Sequence, residues 1–421
     1  VAAVARVAKA SRRGFLTRWN GLTGVLSSRR DDSSPHRVHD FTFETTPRIV
    51  CRDGAASQLA THAREHGMRH VLIVTDTGVR SNGLLDDALR GFAAAGMALS
   101  IFDRVEADPP EHTVLAAVQQ ARDTGVDGVI GFGGGSSLDT AKLVALLART
   151  VQALDAVYGV GRARGPRLPL VQVPTTAGTG SEVTPIAIVT TATNEKVGVV
   201  SPLLYPDLAV LDATLTLGLP PRVTAMTGID AMVHAIEAYT SRHRKNVLSD
   251  TLAQRALMLL SDNLRRVLRD RADLDARRAM LQGSMLAGMA FANAPVAAVH
   301  ALAYPLGGHF HVPHGLSNAL VLLPVLAFNQ TVADGLYGEL AAFLRRDGLP
   351  ACATATGDAF VAAMRDLVAD LPLERSLREV GVAESDLAML AADAMKVQRL
   401  LVNNPRDVSL TDALALYRQA F

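Results

Sequence analysis

The sequence predicts an open, doubly wound parallel α/β sheet in its N-terminal half, followed by an all-helical domain. Three observations predict it. From residue 41 to about 218, short apolar runs alternate with helical patterns, the signature of βαβ units. After Leu219-Pro220-Pro221 the β-branched runs thin out. Long Ala-, Leu- and Met-rich stretches, strong helix formers, then fill the rest of the chain.

The elements follow in order. Residues 70–75 (HVLIVT) read as a buried strand, with a turn at 76–78 and a helix over 84–95. A strand at 98–102, a helical stretch at 113–123 and a strand at 128–132 come next. A further strand is predicted at 168–173. In the second half the helices are predicted over 224–241, 248–268, 275–292 and 355–368, and the segment 299–308 reads as a helix end followed by a turn. The expected organisation is therefore an α/β dinucleotide-binding domain over 41–218 and a helical metal-binding and catalytic domain over 219–421.

Composition narrows the function classes. Of 421 residues, 49% are hydrophobic and 20% charged, the make-up of a soluble globular protein rather than a disordered or fibrous one. Lysine plus arginine (42) nearly cancels aspartate plus glutamate (41), so no overall field draws a polyanion and nucleic acid is not the expected partner. The longest apolar runs, such as 319–328, fall short of the roughly 20 residues that cross a bilayer. Only Cys51 and Cys352 are present, too few for a disulfide framework or a thiolate metal cluster, and a cytoplasmic setting fits. Residues 1–40 differ: seven arginines and lysines precede the first acidic residue, Asp31. They are expected to be a disordered extension, with an organellar presequence as the second reading.

Two loops carry the nucleotide chemistry. The strand at 128–132 runs into GGGSSLDTAK (133–142), where glycines let backbone amides approach an anion and a helix N-terminus supplies free N–H groups and positive dipole. The spacing is neither that of the G-x-G-x-x-G fingerprint nor that of a P-loop, and a tight turn capped by Ser136 or Ser137 would read the same way. Asp139 reads more simply as a carboxylate favoured in a first helical turn than as a catalytic acid. After the strand at 168–173, PTTAGTGSEVT (174–184) offers hydroxyls at the carboxyl edge of a sheet, where open α/β folds bind ligands. Asp76, at the end of the first strand, is placed to accept hydrogen bonds from ribose hydroxyls and to repel a 2′-phosphate, which favours NAD over NADP; simple turn chemistry is the competing account.

In the helical half, GIDAMVHAIEAY (228–239) sets Asp230 and His234 four residues apart on one helix face. His300 and His314 follow in HALAYPLGGHFHVPHG (300–315). Three imidazoles and one carboxylate suit a borderline divalent ion, Fe²⁺ or Zn²⁺, with room for a substrate oxygen. His309 and His311 stand in the same segment without an assigned ligand role, and His243 reads as solvated.

These residues together resemble the iron-containing (group III) alcohol dehydrogenase family, from about Phe41 to the C-terminus. The resemblance implies a Rossmann-like N-terminal domain, an architecture shared with dehydroquinate synthase, and a cleft holding nicotinamide and metal. It implies NAD contacts at Asp76, Gly134, Gly135, Ser136, Asp139, Thr175, Thr176, Thr179, Thr184 and Lys196. Metal ligation is implied at Asp230, His234, His300 and His314, and Phe291 is implied to border the substrate. A homodimer and a small alcohol or carbonyl substrate are implied as well, and Asn404-Pro405-Arg406 resembles a further family feature. The chain departs from the family pattern at Tyr304, where several members carry a second histidine, at Ala107-Asp108-Pro109-Pro110, and near Cys51, where a glycine is missing.

The implied chemistry is hydride transfer between a small alcohol and a nicotinamide. A bound divalent ion lowers the pKa of water from about 15.7 to about 7, or about 12 kcal/mol, whereas a side-chain base alone contributes about 10²–10⁴-fold. Proton exit is open to Tyr304, His309, His311, the ribose hydroxyls or water. Tyr304 is reminiscent of the hydroxyacid–oxoacid transhydrogenase branch, which is the nearest rival reading. A maleylacetate reductase is more distant, and a non-catalytic nucleotide-binding protein would be expected to have lost a metal ligand. No basic cluster that would hold a phosphorylated substrate is evident around the metal motifs.

Overall fold

A computed structural model describes residues 40–193 and 195–421. The extension read at residues 1–40, apart from Asp40, lies outside the described residues. From Phe41 to Phe421 the chain forms one compact unit.

The first half lays down β1 (Ile49–Cys51), α1 (Leu59–Glu65), β2 (His70–Val74), α2 (Thr77–Ser81), α3 (Asp86–Ala95), β3 (Ala98–Phe102), α4 (Glu111–Thr124), β4 (Gly128–Gly133) and α5 (Gly135–Leu147). It continues with β5 (Gly159–Val160), β6 (Leu170–Pro174), β7 (Ile186–Thr190), β8 (Lys196–Val200) and β9 (Leu208–Leu211). Six strands make one parallel sheet in the order β1-β9-β6-β4-β2-β3. Both faces of the sheet's central strands are covered, which is why β2 and β4 carry nearly continuous buried apolar runs. Leu72, Val74 and Val129 enter one core layer with α4 and α5, while Val71, Ile73 and Ile130 enter the other with α1 and α3. The winding reverses between β2 and β4, so their carboxyl ends flank the crevice where such sheets bind ligands.

A second, smaller sheet was not legible in the sequence. β7 and β8 form an antiparallel hairpin, and β5 adds to β8 in parallel. β7 alternates half-buried and buried positions and β8 is buried only at its third and fourth residues, a weaker apolar signal than the central sheet gives.

The second half consists of α6 (Pro221–Thr240), α7 (Val247–Arg269), α8 (Leu274–Asn293), α9 (Ala298–Phe310), α10 (His314–Ala341), the two-residue strands β10 (Arg345–Arg346) and β11 (Leu349–Pro350), α11 (Gly357–Ala369), α12 (Leu387–Ala394), α13 (Gln398–Leu401) and α14 (Leu410–Ala420). Pro221 opens α6 at a position where a missing N–H costs nothing, and Asn246 with Ser249 forms a reciprocal cap on α7. Helix α6 is apolar nearly all round because α7, α8 and α10 pack about it. Helix α10 has the length and composition of a membrane span, yet it is a core helix here, lying against α6, α9, α11 and α14.

The segment 299–308 differs from its expected helix end and turn. Helix α9 continues through Pro305 to Phe310, and the turn comes at His311, whose φ is +53°. Proline removes one helical hydrogen bond but fixes φ near a helical value, and the burial of Leu302, Ala303 and Leu306 around it offsets the loss.

Candidate active site

At the carboxyl ends of β4 and β6 the site is made of backbone. Gly134 is the N-cap of α5, in extended conformation, and no side chain caps that helix. The first N–H groups of α5 are therefore left for a ligand, with the positive end of the helix dipole behind them. The two loops interlock closely: a Cβ on Gly135 would stand 2.7 Å from Thr179 Cγ2, and one on Gly134 would meet Thr176 at 3.7 Å. Gly180, at φ +59°, rests so closely on α8 that a Cβ would lie 2.5 Å from Gly288 Cα. Thr175 is buried, and its N–H donates to Gly133 O at 2.9 Å.

Asp76 performs turn chemistry and also meets the start of α5. Its Oδ1 accepts from Val79 N at 2.9 Å as the N-cap of α2, and its Oδ2 accepts from Ser137 Oγ at 3.2 Å. Ser136 Oγ accepts from Asp108 N at 3.2 Å, and the Asp108 carboxylate pairs with Lys196 Nζ at 2.7 Å. Asp139 does not sit in the first helical turn, as the sequence reading had it; it is the fifth residue of α5. Its Oδ1 accepts from Ser181 Oγ at 2.6 Å and its Oδ2 from Ile188 N at 2.9 Å. Beside it the fully buried Lys142 Nζ donates to Ser181 Oγ, Thr184 Oγ1 and Ile186 O at 2.8, 3.1 and 2.6 Å. Lys142, Asp139 and Thr184 thus brace the second loop against the first. Burial pushes the Lys142 ammonium down to about 8 and the neighbouring Glu182 carboxyl up to about 7.

The helical side is built of side chains. Asp230 and His234 project from α6, His300 from α9 and His314 from the first turn of α10. The Nε2 atoms of His234, His300 and His314 stand 3.9, 4.0 and 3.6 Å from Asp230 Oδ1. Donors each about 2 Å from a shared ion take separations of about 3–4 Å, so the four fit one divalent cation. The donor chemistry fits as well. Removal from water pushes His234 down to about 3 and His314 down to about 4, leaving neutral imidazoles with free lone pairs. Burial alone would raise the Asp230 carboxyl, but the three imidazoles and Asn318 outweigh it and hold it lowered.

Two residues without an expected role aim this cluster. Glu237, one turn beyond His234, accepts from His300 Nδ1 at 2.6 Å, which presents His300 Nε2 toward Asp230. Its oxygens also accept from Ala297 N and Val299 N at 2.9 and 2.7 Å, where α9 has no cap of its own. Asn318, one turn beyond His314, donates to Asp230 Oδ1 at 2.6 Å. The i+3 and i+4 spacings on α6 and α10 were the available sequence signals for both.

A cavity of about 330 Å³ joins the two sides. Gly135, Ser136, Asp139, Thr179, Thr184 and Lys196 reach it from the sheet side. His234, Phe291, His300, Tyr304 and His314 reach it from the helical side. Asp76, Gly134, Thr175 and Thr176 lie outside its lining, and Asp230 is buried behind the imidazoles. Phe291 stacks on His234 with ring centres 4.3 Å apart. His314, with 28% of its side chain exposed, is the most open of the four metal-site residues. Tyr304 lies 6.2 Å from it, ring to ring, and borders a second cavity of about 620 Å³ that adjoins the first. His309 lines that outer cavity but is paired with Asp393 at 2.6 Å, and His311 occupies the turn after α9. Arg244, five residues beyond the GIDAMVHAIEAY motif, and Arg399, far from it in sequence, both line the inner cavity.

Comparisons with known proteins point the same way. The family model of the iron-containing alcohol dehydrogenases matches residues 46–213, and that of the C-terminal part of the Fe-containing alcohol dehydrogenase family matches residues 224–421. The chain is 36% identical over 402 residues to a probable alcohol dehydrogenase, EutG, of Escherichia coli (strain K12), covering 95% of this chain and 99% of that one. Among solved structures it resembles a 1,3-propanediol oxidoreductase with a TM-score of 0.86 at 33% identity, covering 91% of this chain and 100% of the other. It also resembles the sulfoacetaldehyde reductase of Bifidobacterium kashiwanohense in complex with NAD⁺, with a TM-score of 0.81 at 26% identity over 91% and 99% of the two chains.

Proposed function

The chain belongs to the iron-containing alcohol dehydrogenase family and is an NAD-linked oxidoreductase acting on CH–OH groups; from that premise we propose that Asp230, His234, His300 and His314 together hold its iron. What carries this reading is the convergence of three imidazole Nε2 atoms on Asp230 Oδ1 inside a cavity that also opens on the start of α5. Held by these four residues, an ion would supply Lewis acidity to an alcohol or carbonyl oxygen, and a nicotinamide bound beside it would supply the hydride chemistry.

The protein's own groups do the positioning. The free N–H groups of α5 at Gly134, Gly135 and Ser136 bind the dinucleotide phosphates, with Thr175, Thr176 and Thr179 alongside. Asp76, whose Oδ2 meets Ser137 at the start of α5, is the carboxylate assigned to the adenosine ribose, which favours NAD over NADP. Asp139 and Thr184 act through Lys142 by fixing the loop, and Lys196 faces the cofactor from β8. Phe291 closes the apolar side of the substrate space and keeps water from the reacting carbon. Tyr304, between His314 and the outer cavity, carries the alcohol proton outward. Tyr304→Phe should then lower kcat about 10²-fold and alter its pH profile, with iron content retained.

The experiment is a preparation of measured iron content, assayed with NAD and with NADP against short alcohols, diols and their carbonyl partners. Turnover with NAD that scales with bound iron is expected. Equal turnover after iron has been removed would sink the metal assignment. A homodimer in a cytoplasmic setting is part of the same proposal, supported by the resemblance and by the scarcity of cysteine, and sedimentation of the purified protein tests the dimer.

A further inference from the structure

We propose that the substrate space selects alcohols bearing a negative charge at the far end of a short aliphatic chain, with Arg399 and Arg244 as the residues that bind that charge. The inference rests on the alcohol dehydrogenase reading of the same cavity and names its substrate class.

The cavity wall beyond the imidazoles is apolar: Ile186, Ile188, Val200, Phe291, Val296 and Leu400 line it. Such a wall accepts methylenes and rejects polar substituents along the chain. At its rim the character changes, because the exposed Arg244 and Arg399 both reach the same space. Neither guanidinium stands within ion-pair distance of a carboxylate among the described residues, whereas nearby cations are matched: Lys196 with Asp108, Lys396 with Asp393 and Arg242 with Asp407. The hydrogen bond of the Arg399 guanidinium runs from Nη2 to Tyr304 OH at 3.3 Å, and its Cζ lies 5.8 Å from the Tyr304 ring centre. The same ring stands 6.2 Å from His314. One phenol therefore stands between the cation and a metal-site imidazole.

The segments that carry the two arginines are held together. Arg244 sits in the loop after α6 and Arg399 on α13, and Arg242 N donates to Asn403 O at 2.8 Å between those segments. Asn403 Nδ2 donates to Val296 O at 3.1 Å and Ser241 Oγ to Pro295 O at 2.8 Å, tying both segments to the break between α8 and α9 that walls the cavity. Cations at the mouth of a low-dielectric cleft focus their field into it, so a carboxylate or sulfonate on the substrate meets a partner there. The cofactor phosphates already have the uncapped start of α5, on the sheet side.

The test compares 4-hydroxybutanoate with 1-butanol on the iron-loaded enzyme with NAD. We expect kcat/KM to favour the hydroxy acid by about tenfold or more at low ionic strength, and the preference to shrink as salt is added. Arg399→Leu combined with Arg244→Leu should bring the two substrates to within about threefold of each other, while Arg399→Lys keeps part of the difference. Butanoate, which has no hydroxyl to oxidise, should inhibit competitively against the alcohol, and its Ki should rise about tenfold in the double variant. Oxidation of 1-butanol without any preference for the acid overturns the proposal, as does a preference that survives the double substitution. A rise in KM for NAD that is equal with both alcohols assigns the arginines to the cofactor and overturns it too. Absence of turnover with either alcohol, iron being bound, counts instead against the dehydrogenase reading on which it rests.

Discussion

In the proposed site the two sides of the cavity bind by opposite means. On the sheet side the ligand-facing groups are backbone amides at the start of α5, made accessible by what is missing at Gly134 and Gly135. On the helical side they are side-chain atoms of Asp230, His234, His300 and His314, aimed by Glu237 and Asn318. The difference teaches where each side is vulnerable. A backbone site is damaged by adding atoms, because a Cβ occupies the space of the ligand or of the facing loop. A side-chain site is damaged by removing them, because neutral lone pairs and one carboxylate are the binding energy.

The largest effect should come from subtraction on the helical side. His300→Ala deletes one donor together with the group that Glu237 orients, and iron per chain should fall to a small fraction of the wild-type value. Lewis-acid activation is worth several kcal/mol, so kcat/KM should drop by about 10³-fold or more. Iron bound at full stoichiometry in this variant would break the distinction between the two sides. Glu237→Gln is the gentler subtraction. The amide still offers an oxygen to the N–H groups at the start of α9, but it no longer gives His300 a charged partner. Loss of such an outer partner weakens metal affinity by about 10–100-fold. Competition with a chelator measures it, and unaltered affinity would make Glu237 a helix cap and nothing more.

Addition is the test on the sheet side. Gly135→Ala places a methyl 2.7 Å from Thr179 Cγ2, so one of the two loops must move away from the nucleotide. KM for NAD should rise about tenfold while iron content holds, and Thr179→Ser in the same chain should recover part of it by removing the opposing methyl. A rise in KM accompanied by loss of iron would show that the two sides are not separable in this way.

The same contrast explains what was legible in the sequence. The strands at 70–74 and 128–133 were readable because a sheet buried on both faces demands continuous apolar runs, and the half-buried edge strand at 98–102 followed from its place between helical patterns. The four candidate metal ligands were readable because a helix fixes the i, i+4 relation of Asp230 to His234, and because His300 and His314 sit in a motif that resembles the family's; the structure brings all four to one point. Glu237 was not, since it acts on a residue 63 positions away, across two intervening helices. Arg244 and Arg399 were missed for the same reason: no local pattern marks two residues as neighbours when Asn403 and Arg242 join their segments only in the folded chain. The β7–β8 hairpin left too weak an alternation to read, and Pro305 suggested a helix end where burial carried the helix on. At Asp139 the sequence supplied a plausible helix-dipole role, and the structure gives that carboxylate to Ser181 and Ile188 instead.

The smallest effect sharpens the comparison by moving to the opposite edge of the sheet, away from the nucleotide loops. There, just before β6 and β9, the structure is again held by side chains. Arg167 grips Asp207 through two hydrogen bonds of 2.7 and 2.9 Å, and Asp207 Oδ2 also accepts from Leu170 N at 2.8 Å. Partial burial alone would raise the Asp207 carboxyl, but the guanidinium and the Leu170 N–H outweigh it and hold it below the ordinary 3.8. A carboxyl lowered in the folded state contributes stability that is fully present above its unfolded value and is lost as pH falls through the folded one. Asp207→Asn should therefore cost about 1 kcal/mol at pH 7, a modest figure because the pair is partly open to solvent. The gap to the wild type should close as pH is taken below 3.8, as urea unfolding across that range would report. KM for NAD should not change, because the edge that binds the nucleotide depends on backbone and glycine, and a change there would mean that this ion pair reaches through β6 to the loop that follows it.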